Sequence, residues 1–158
     1  MGKEIERKFL VRDNAYLDMA TEAIEMAQGY LNTSPDATVR VRVCGQRAYL
    51  TVKSRNRGAE RGEWEYEIPR SEADDIMAAC CGPNVLSKTR YIVPYAGHIW
   101  EVDVFSGRLA GLVVAEVELG RADESVIIPP FVGKEVTGDT RYYNSTLSCP
   151  STPLPPTD

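Results

Sequence analysis

The stretch EIERKFLV, residues 4–11, sets Glu4, Glu6 and Lys8 at i, i+2 and i+4. Successive side chains of a strand point to opposite faces, so this spacing places three charges on one face. Ile5 and Phe9 take the other face, with Arg7 between them. The same alternation returns along the chain. In ATVRVRV (37–43), Arg40 and Arg42 oppose Val39, Val41 and Val43. In YLTVKSR (49–55), Thr51, Lys53 and Arg55 oppose Leu50 and Val52. Glu63, Glu65 and Glu67 oppose Trp64, Tyr66 and Ile68, and Lys88 and Arg90 oppose Thr89, Tyr91 and Val93. Glu101 and Asp103 oppose Val102 and Val104, and Glu116 and Glu118 oppose Ala115, Val117 and Leu119.

A single charged strand face is ordinarily a solvated surface, but such faces usually mix Thr, Ser and Gln with their charges. Seven strands of this kind in one chain of 158 residues call for another arrangement. Their apolar faces must be buried, against helices and each other, while the charged faces meet one another or water. A closed sheet with a charged lumen satisfies both demands and removes exposed edges. The fold class expected is therefore mainly β (α+β): an eight-stranded antiparallel closed β-barrel, a tunnel with a charged lumen and a few flanking helices. An outer-membrane barrel also has a polar lumen, but aromatic girdles are missing and helical segments interrupt the strands.

The rest of the chain fits this frame. One helix is expected near residues 15–25, and another at SEADDIMAACCG (71–82), with Ser71 as N-cap and Gly82 near its end. AQGYLNT (27–33) reads as a strand, and FVGKEVTGDTRYYNSTLS (131–148) as an irregular or short-helical closing segment. Four of the ten prolines fall in the last ten residues, which predicts a disordered tail over 148–158 after a single domain over 1–147. With 43% hydrophobic and 26% charged residues the composition is that of a globular protein. A net charge of −5 disfavours nucleic acid and anionic membrane as partners, so a bound anion must be met by a local cluster of bases. No apolar run approaches a membrane span and the N-terminus lacks the apolar core of a signal peptide. Cys44, Cys80, Cys81 and Cys149 have no zinc spacing, and reduced thiols in a cytoplasmic protein are expected.

The charges within the lumen indicate a ligand. Lys8, Arg40, Arg42, Lys53, Lys88 and Arg90 supply cations; Arg forks suit phosphate oxygens and Lys acts as a point charge. Glu4, Glu6, Glu65, Asp103, Glu116 and Glu118 supply carboxylates. Without His or Cys, such a set suits a hard cation such as Mg²⁺ or Mn²⁺. A polyphosphate–metal complex needs both kinds of group at once. His98, the only histidine, is expected at a loop or strand edge, and Tyr30, Tyr66 and Tyr91 as packing residues.

These residues resemble the Glu-x-Glu-x-Lys signature of the CYTH superfamily, the triphosphate tunnel metalloenzymes. After EIERKFLV come, in order, QGYL, VRVR, LTVK, EYEIP, KTRY, WEVDVF, AEVEL and EVTGDTRYYNSTL, so the resemblance covers residues 2 to about 147 and is nearest to the small bacterial single-domain members. It implies a tunnel that binds triphosphate with Mg²⁺ or Mn²⁺, two ions in all. Glu4, Glu6 and Glu118 would be metal ligands, and Glu116 and Asp103 would hold a second ion or its water. Glu65 would join the same cluster, with Glu67 less certain. Lys8, Arg40, Arg42, Lys53, Lys88 and Arg90 would grip phosphates, Lys134 would contact substrate, and Tyr30 would lie near the tunnel mouth. Lys8, Glu116, Asp103 and Lys88 would carry the chemistry. A C-terminal helix plugs one end in similar proteins, and here only RYYNSTLS is available for it. The function implied is metal-dependent hydrolysis of inorganic triphosphate to pyrophosphate and phosphate. The alternatives are an adenylate cyclase or a thiamine- or nucleoside-triphosphatase of the same superfamily, or a non-catalytic polyphosphate-binding module. A homodimer is left open.

Overall fold

A computed structural model describes residues 2–32 and 34–158; Met1 and Thr33, the latter closing the expected strand AQGYLNT, lie outside them. In chain order the elements are β1 (Glu4–Val11), α1 (Tyr16–Met19), β2 (Glu22–Asn32), β3 (Ala37–Cys44), β4 (Arg47–Ser54), β5 (Glu60–Arg61), β6 (Glu63–Ile68) and α2 (Arg70–Cys80). There follow β7 (Val85–Tyr95), β8 (His98–Phe105), β9 (Val113–Glu118), β10 (Val132–Glu135) and α3 (Asn144–Leu147). All the strands belong to one antiparallel sheet in the order β10-β1-β9-β8-β7-β2-β3-β4-β6, with β5 paired to β1. Eight of them are the expected long strands. The two additions are short: four residues in β10 and two in β5.

The short strands nearly close the sheet. β1 pairs with β9 along one edge, and its other edge is shared between β10 and β5. Gly62 alone separates β5, which pairs β1, from β6, which pairs β4. One run of chain thus bridges the two ends of the sheet. The crossing is tight: a Cβ on Gly62 would lie 2.7 Å from Trp64 Cη2, and Ser54 Oγ accepts from Gly62 N at 2.9 Å.

The alternating pattern sorts the core into three places. Outside the barrel, Phe9, Trp100, Val102, Val117 and Phe131 pack with Tyr16 of α1, and α2 covers Val41, Val43 and Ala48 through Ala73, Ile76 and Met77. Inside, Leu10, Leu86, Phe105 and Val114 share the inward face of their strands and meet Tyr142 and Leu147 from the C-terminal segment. Short as it is, RYYNSTLS therefore supplies an apolar plug at one end of the lumen.

Four local expectations are corrected. The helix expected over 15–25 is one turn long, since Ala20 leaves it at ψ 136° and residues 22–29 pair in register with β7; pairing overrides the helix propensity of Glu, Ala and Met. α2 begins at Arg70 after Pro69, and Ser71 makes no cap hydrogen bond. The outer face of β6 is left uncovered, with Trp64 46% and Tyr66 60% exposed, because α2 reaches no further than Ile68 on that strand. Residues 148–158 fold back on the domain: Ser148 is buried, Thr152 Oγ1 donates to Thr146 O at 3.0 Å, and Tyr142 Oη donates to Pro156 O at 2.6 Å.

Candidate functional site in the barrel lumen

Strand register builds the site. Glu6 lies opposite Glu118 and Lys8 opposite Glu116 across β1 and β9. Glu101 faces Glu116, and Arg90 faces Asp103. Arg40 faces Tyr30 and Thr51, Thr51 faces Glu65, and Lys53 faces Glu63. Directly opposed residues share a face, so these pairs turn into one lumen, and most of them line a cavity of about 150 Å³. Glu4, Glu6, Glu116 and Glu118 line it on one side, and Arg40, Arg42, Lys53 and Arg90 on the other; Glu65 and Tyr30 also belong to its wall.

Most of the charges already neutralise one another. Lys53 Nζ donates to both oxygens of Glu4 at 3.2 Å and pairs with Glu63 at 3.1 Å. Arg90 Nε donates to Asp103 Oδ1 at 2.8 Å, and Arg90 Nη1 to Glu101 Oε2 at 2.9 Å. Arg40 Nη2 donates to Thr51 Oγ1 at 3.2 Å and to Glu65 Oε2 at 3.3 Å, while its buried Nε takes no partner among the described residues. Burial alone would raise the Glu4 carboxyl, but Lys53 and Arg61 hold it down at about 2. Glu116 is likewise held well below its ordinary range, against burial, by Lys8, Arg90 and Lys88. Glu6 goes the other way: burial, then Glu116 and Glu4, push it up to about 8. Burial also raises Glu118, with Glu4, Glu63 and Glu101 adding to it.

Arg42 is the odd cation. Its Nε donates to Gln28 Oε1 at 2.9 Å, and no carboxylate pairs with it among the described residues. Burial, then Arg40 and Arg90, bring its guanidinium down to about 10. An arginine held this way is poised for an anion. Arg42→Ala is expected to lower kcat/KM for triphosphate by about 10²–10³-fold, as for loss of one preorganised donor to developing charge. The same variant should melt no lower than wild type in the absence of substrate. Unchanged kinetics would take Arg42 out of the binding set.

Three residues expected at the reacting phosphates stand behind the cavity. Lys8 Nζ donates to Tyr142 O at 3.1 Å and lies 3.5 Å from Glu116 Oε1. Lys88 Nζ donates to Asp103 Oδ2 at 2.6 Å and to Asn144 Oδ1 at 3.3 Å, and burial, with Arg90 and Arg42, lowers it to about 7 against the pull of Asp103. The two lysines thus anchor the plug. Asp103, 1% exposed, gives both oxygens to Arg90 and Lys88. Expected as a metal ligand, Asp103 here serves the two bases and does not line the cavity. Lys134 likewise departs from its expected place. It is exposed on β10 and does not line the cavity.

Sequence reasoning missed Arg61 and left Glu63 and Glu101 unassigned, although all three line the cavity. Tyr143, Asn144 and Ser145 of the plug line it too, and Asn56 Nδ2 donates to Tyr143 Oη at 3.0 Å. The strand alternation marked Glu63 and Glu101; nothing periodic marks Arg61.

The donor set fits a hard cation, since its acidic groups are all carboxylates, two of which, Glu6 and Glu118, are raised by burial and then by neighbouring carboxylates. Among the described residues no three of these carboxylates converge into a ready cage, because Glu4 and Glu116 are turned toward bases. The arrangement suits a protein that holds a short polyanion beside such a cation.

The chain belongs to the CYTH domain family, whose match spans residues 2–147. It is 47% identical over 149 residues to an inorganic triphosphatase of Acetivibrio thermocellus, covering 93% of this chain and 94% of that one. An inorganic triphosphatase of Nitrosomonas europaea is 39% identical over 149 residues, covering 92% and 96%. Among solved structures, that of an inorganic triphosphatase superposes with a TM-score of 0.67 at 35% identity, over 94% of this chain and 95% of that one.

Proposed function

We propose that this protein hydrolyses inorganic triphosphate to pyrophosphate and phosphate with Mg²⁺ or Mn²⁺, two ions in all. The observation that carries the reading is a cavity lined by seven carboxylates and five strong bases inside a plugged barrel. The triphosphatase relatives support it.

Arg40, Arg42, Lys53 and Arg90 would bind the phosphate oxygens and hold the chain extended across β3, β4 and β7. Glu4, Glu6, Glu116 and Glu118 would hold the metal. A bound divalent cation supplies charge neutralisation on the phosphates and lowers the pKa of a bound water. Lys8 and Lys88, fixed to the plug, would keep the wall behind the substrate closed to bulk water. Catalysis then rests on positioning and charge stabilisation. A cytoplasmic location belongs to the same reading: no helix among the described residues is long and apolar enough to cross a membrane. It leaves room for a homodimer, which sedimentation would reveal.

Inorganic triphosphate is expected to be preferred over ATP, and pyrophosphate to be a poor substrate. The bases lie on three strands, and pyrophosphate is too short to reach them all; each polar group left unpaired costs about 1–3 kcal/mol. ATP must lodge its nucleoside at a mouth where no adenine-stacking platform stands out. The test compares kcat/KM for the three at one Mg²⁺ or Mn²⁺ concentration, with a chelated control. Equal use of pyrophosphate would undo the reading of length. Cyclic AMP as the main product from ATP would make the protein a cyclase. Phosphate release that survives chelation would remove the metal, and no release from any compound would leave a binding module.

A further inference from the structure

Arg61 stands at a junction. It lines the main cavity, a smaller one behind Glu6 and Tyr143, and an outer vestibule with Lys3, Arg55 and Arg57. Its Nε donates to Glu4 Oε1 at 3.0 Å, while its two Nη nitrogens take no hydrogen bond among the described residues. The guanidinium is therefore half committed: one donor on a carboxylate, two facing open space.

The strand that carries it is short. β5 has only the register pairs Glu4 with Arg61 and Ile5 with Glu60, and it ends at the Gly62 crossing where the chain leaves β1 for β4. Glu4 is buried at 8% exposure and shared between Arg61 and Lys53. A cation that takes both Glu4 oxygens as ligands competes with Lys53, which donates to both, and with Arg61, which donates to Oε1 from the cavity junction.

We propose that Arg61 is a counter-ion that exchanges partners: it holds Glu4 in the metal-free protein, and once a divalent cation takes Glu4 the freed guanidinium turns to the triphosphate. The inference rests on the triphosphatase reading above. Arg61 then couples the two ligands. Metal binding supplies a base to the substrate, substrate binding removes a competitor from Glu4, and by linkage each tightens the other by the same factor.

The test titrates Mn²⁺ into the full chain by calorimetry, without and with a non-hydrolysable imidotriphosphate. Wild type should show tighter Mn²⁺ binding with the analogue, by a factor in the range of about 5–150. In Arg61→Gln, Mn²⁺ alone should bind more tightly than in wild type, and the coupling factor should fall to the part that direct attraction between cation and phosphate supplies. Arg61→Lys keeps the charge and should restore part of the coupling; it also serves if Arg61→Gln folds poorly, as judged by its melt. Mn²⁺ binding to Arg61→Gln that is unchanged or weaker, with the coupling intact, overturns the exchange. If wild type instead fails to hydrolyse triphosphate with Mn²⁺, the functional reading itself has failed, and the two outcomes are separate.

Discussion

Asp103→Ala is expected to lower stability by about 3–5 kcal/mol, because it breaks a buried ion network, leaving Lys88 without its carboxylate and Arg90 with Glu101 alone. Lys88 and Arg90 are 2% and 7% exposed, so water cannot replace the carboxylate. At about 2–4 °C per kcal/mol for a domain of this size, the melting temperature should fall by roughly 6–20 °C. The loss belongs to the stranded charges more than to the lost bonds. The double variant Asp103→Ala, Lys88→Met should therefore melt higher than Asp103→Ala alone, a non-additivity expected of residues in one network. Chemical and thermal melts of the four proteins of that cycle check it. A fall in Tm of a degree or less for Asp103→Ala would mean that the lumen is wetter than its burial implies.

Glu6→Gln should act in the opposite sense on stability while removing function. An amide is a far poorer ligand for a hard cation, so Mn²⁺ affinity should fall by at least 10–100-fold, on the order of the loss from removing an outer partner of a metal ligand. Turnover should fall with it. Without metal, however, the variant should be the more stable protein. The Glu6 carboxyl titrates near its ordinary 4.5 when unfolded and near about 8 when folded. Between those values the folded state holds the extra proton, so wild type loses stability as pH rises from 4.5 to 8. The advantage of Gln over Glu should be absent below pH 4.5, grow through pH 6 and level off above 8. Metal affinity of wild type should rise over the same upper range, since below about 8 the cation must displace a proton. Melts in chelator at pH 5, 6, 7 and 8 test the first trend. A flat difference would show that the Glu6 carboxyl titrates alike in the folded and unfolded protein.

The two variants together describe a lumen under tension. Asp103 is fully satisfied and structural in effect. Glu6, which the fold keeps protonated below about pH 8, and Arg42, a cation with no carboxylate partner among the described residues, are held in place by the strands that carry them. Strain of that kind belongs where ligands bind, since a cation relieves the first and an anion the second.

Strand alternation made much of this legible in advance, because the inward or outward direction of a side chain is a local property of an extended backbone. Glu4, Glu6, Arg40, Arg42, Lys53, Arg90, Glu116 and Glu118 were all found by parity alone, and all line the cavity. What alternation cannot convey is depth along the barrel. Lys8 and Lys88 have the right parity but sit level with the plug, whose position depends on contacts with residues 142–147. Asp103 has the right parity too, but its oxygens went to bases on the neighbouring strand. Arg61 belongs to a strand of two residues, too short for any period. The outer face of β6 shows the converse limit: Trp64 and Tyr66 alternate as a buried face would, but burial depends on whether another element reaches them.

The pairing of β1 also bears on how the molecule comes into being. β2 with β3 and β3 with β4 are hairpins of neighbouring strands and can form as soon as they are made. β1 waits: Lys8 lies opposite Glu116, and its backbone N–H donates to Thr137, 129 positions later. On the ribosome the strand bearing Glu4, Glu6 and Lys8 spends most of synthesis unpaired, and the closing of the barrel is a late step governed by a long chain loop. Charges at every second position are what keep that waiting strand soluble. The residues assigned to cation and phosphate would serve earlier as its guard against pairing with the wrong neighbour.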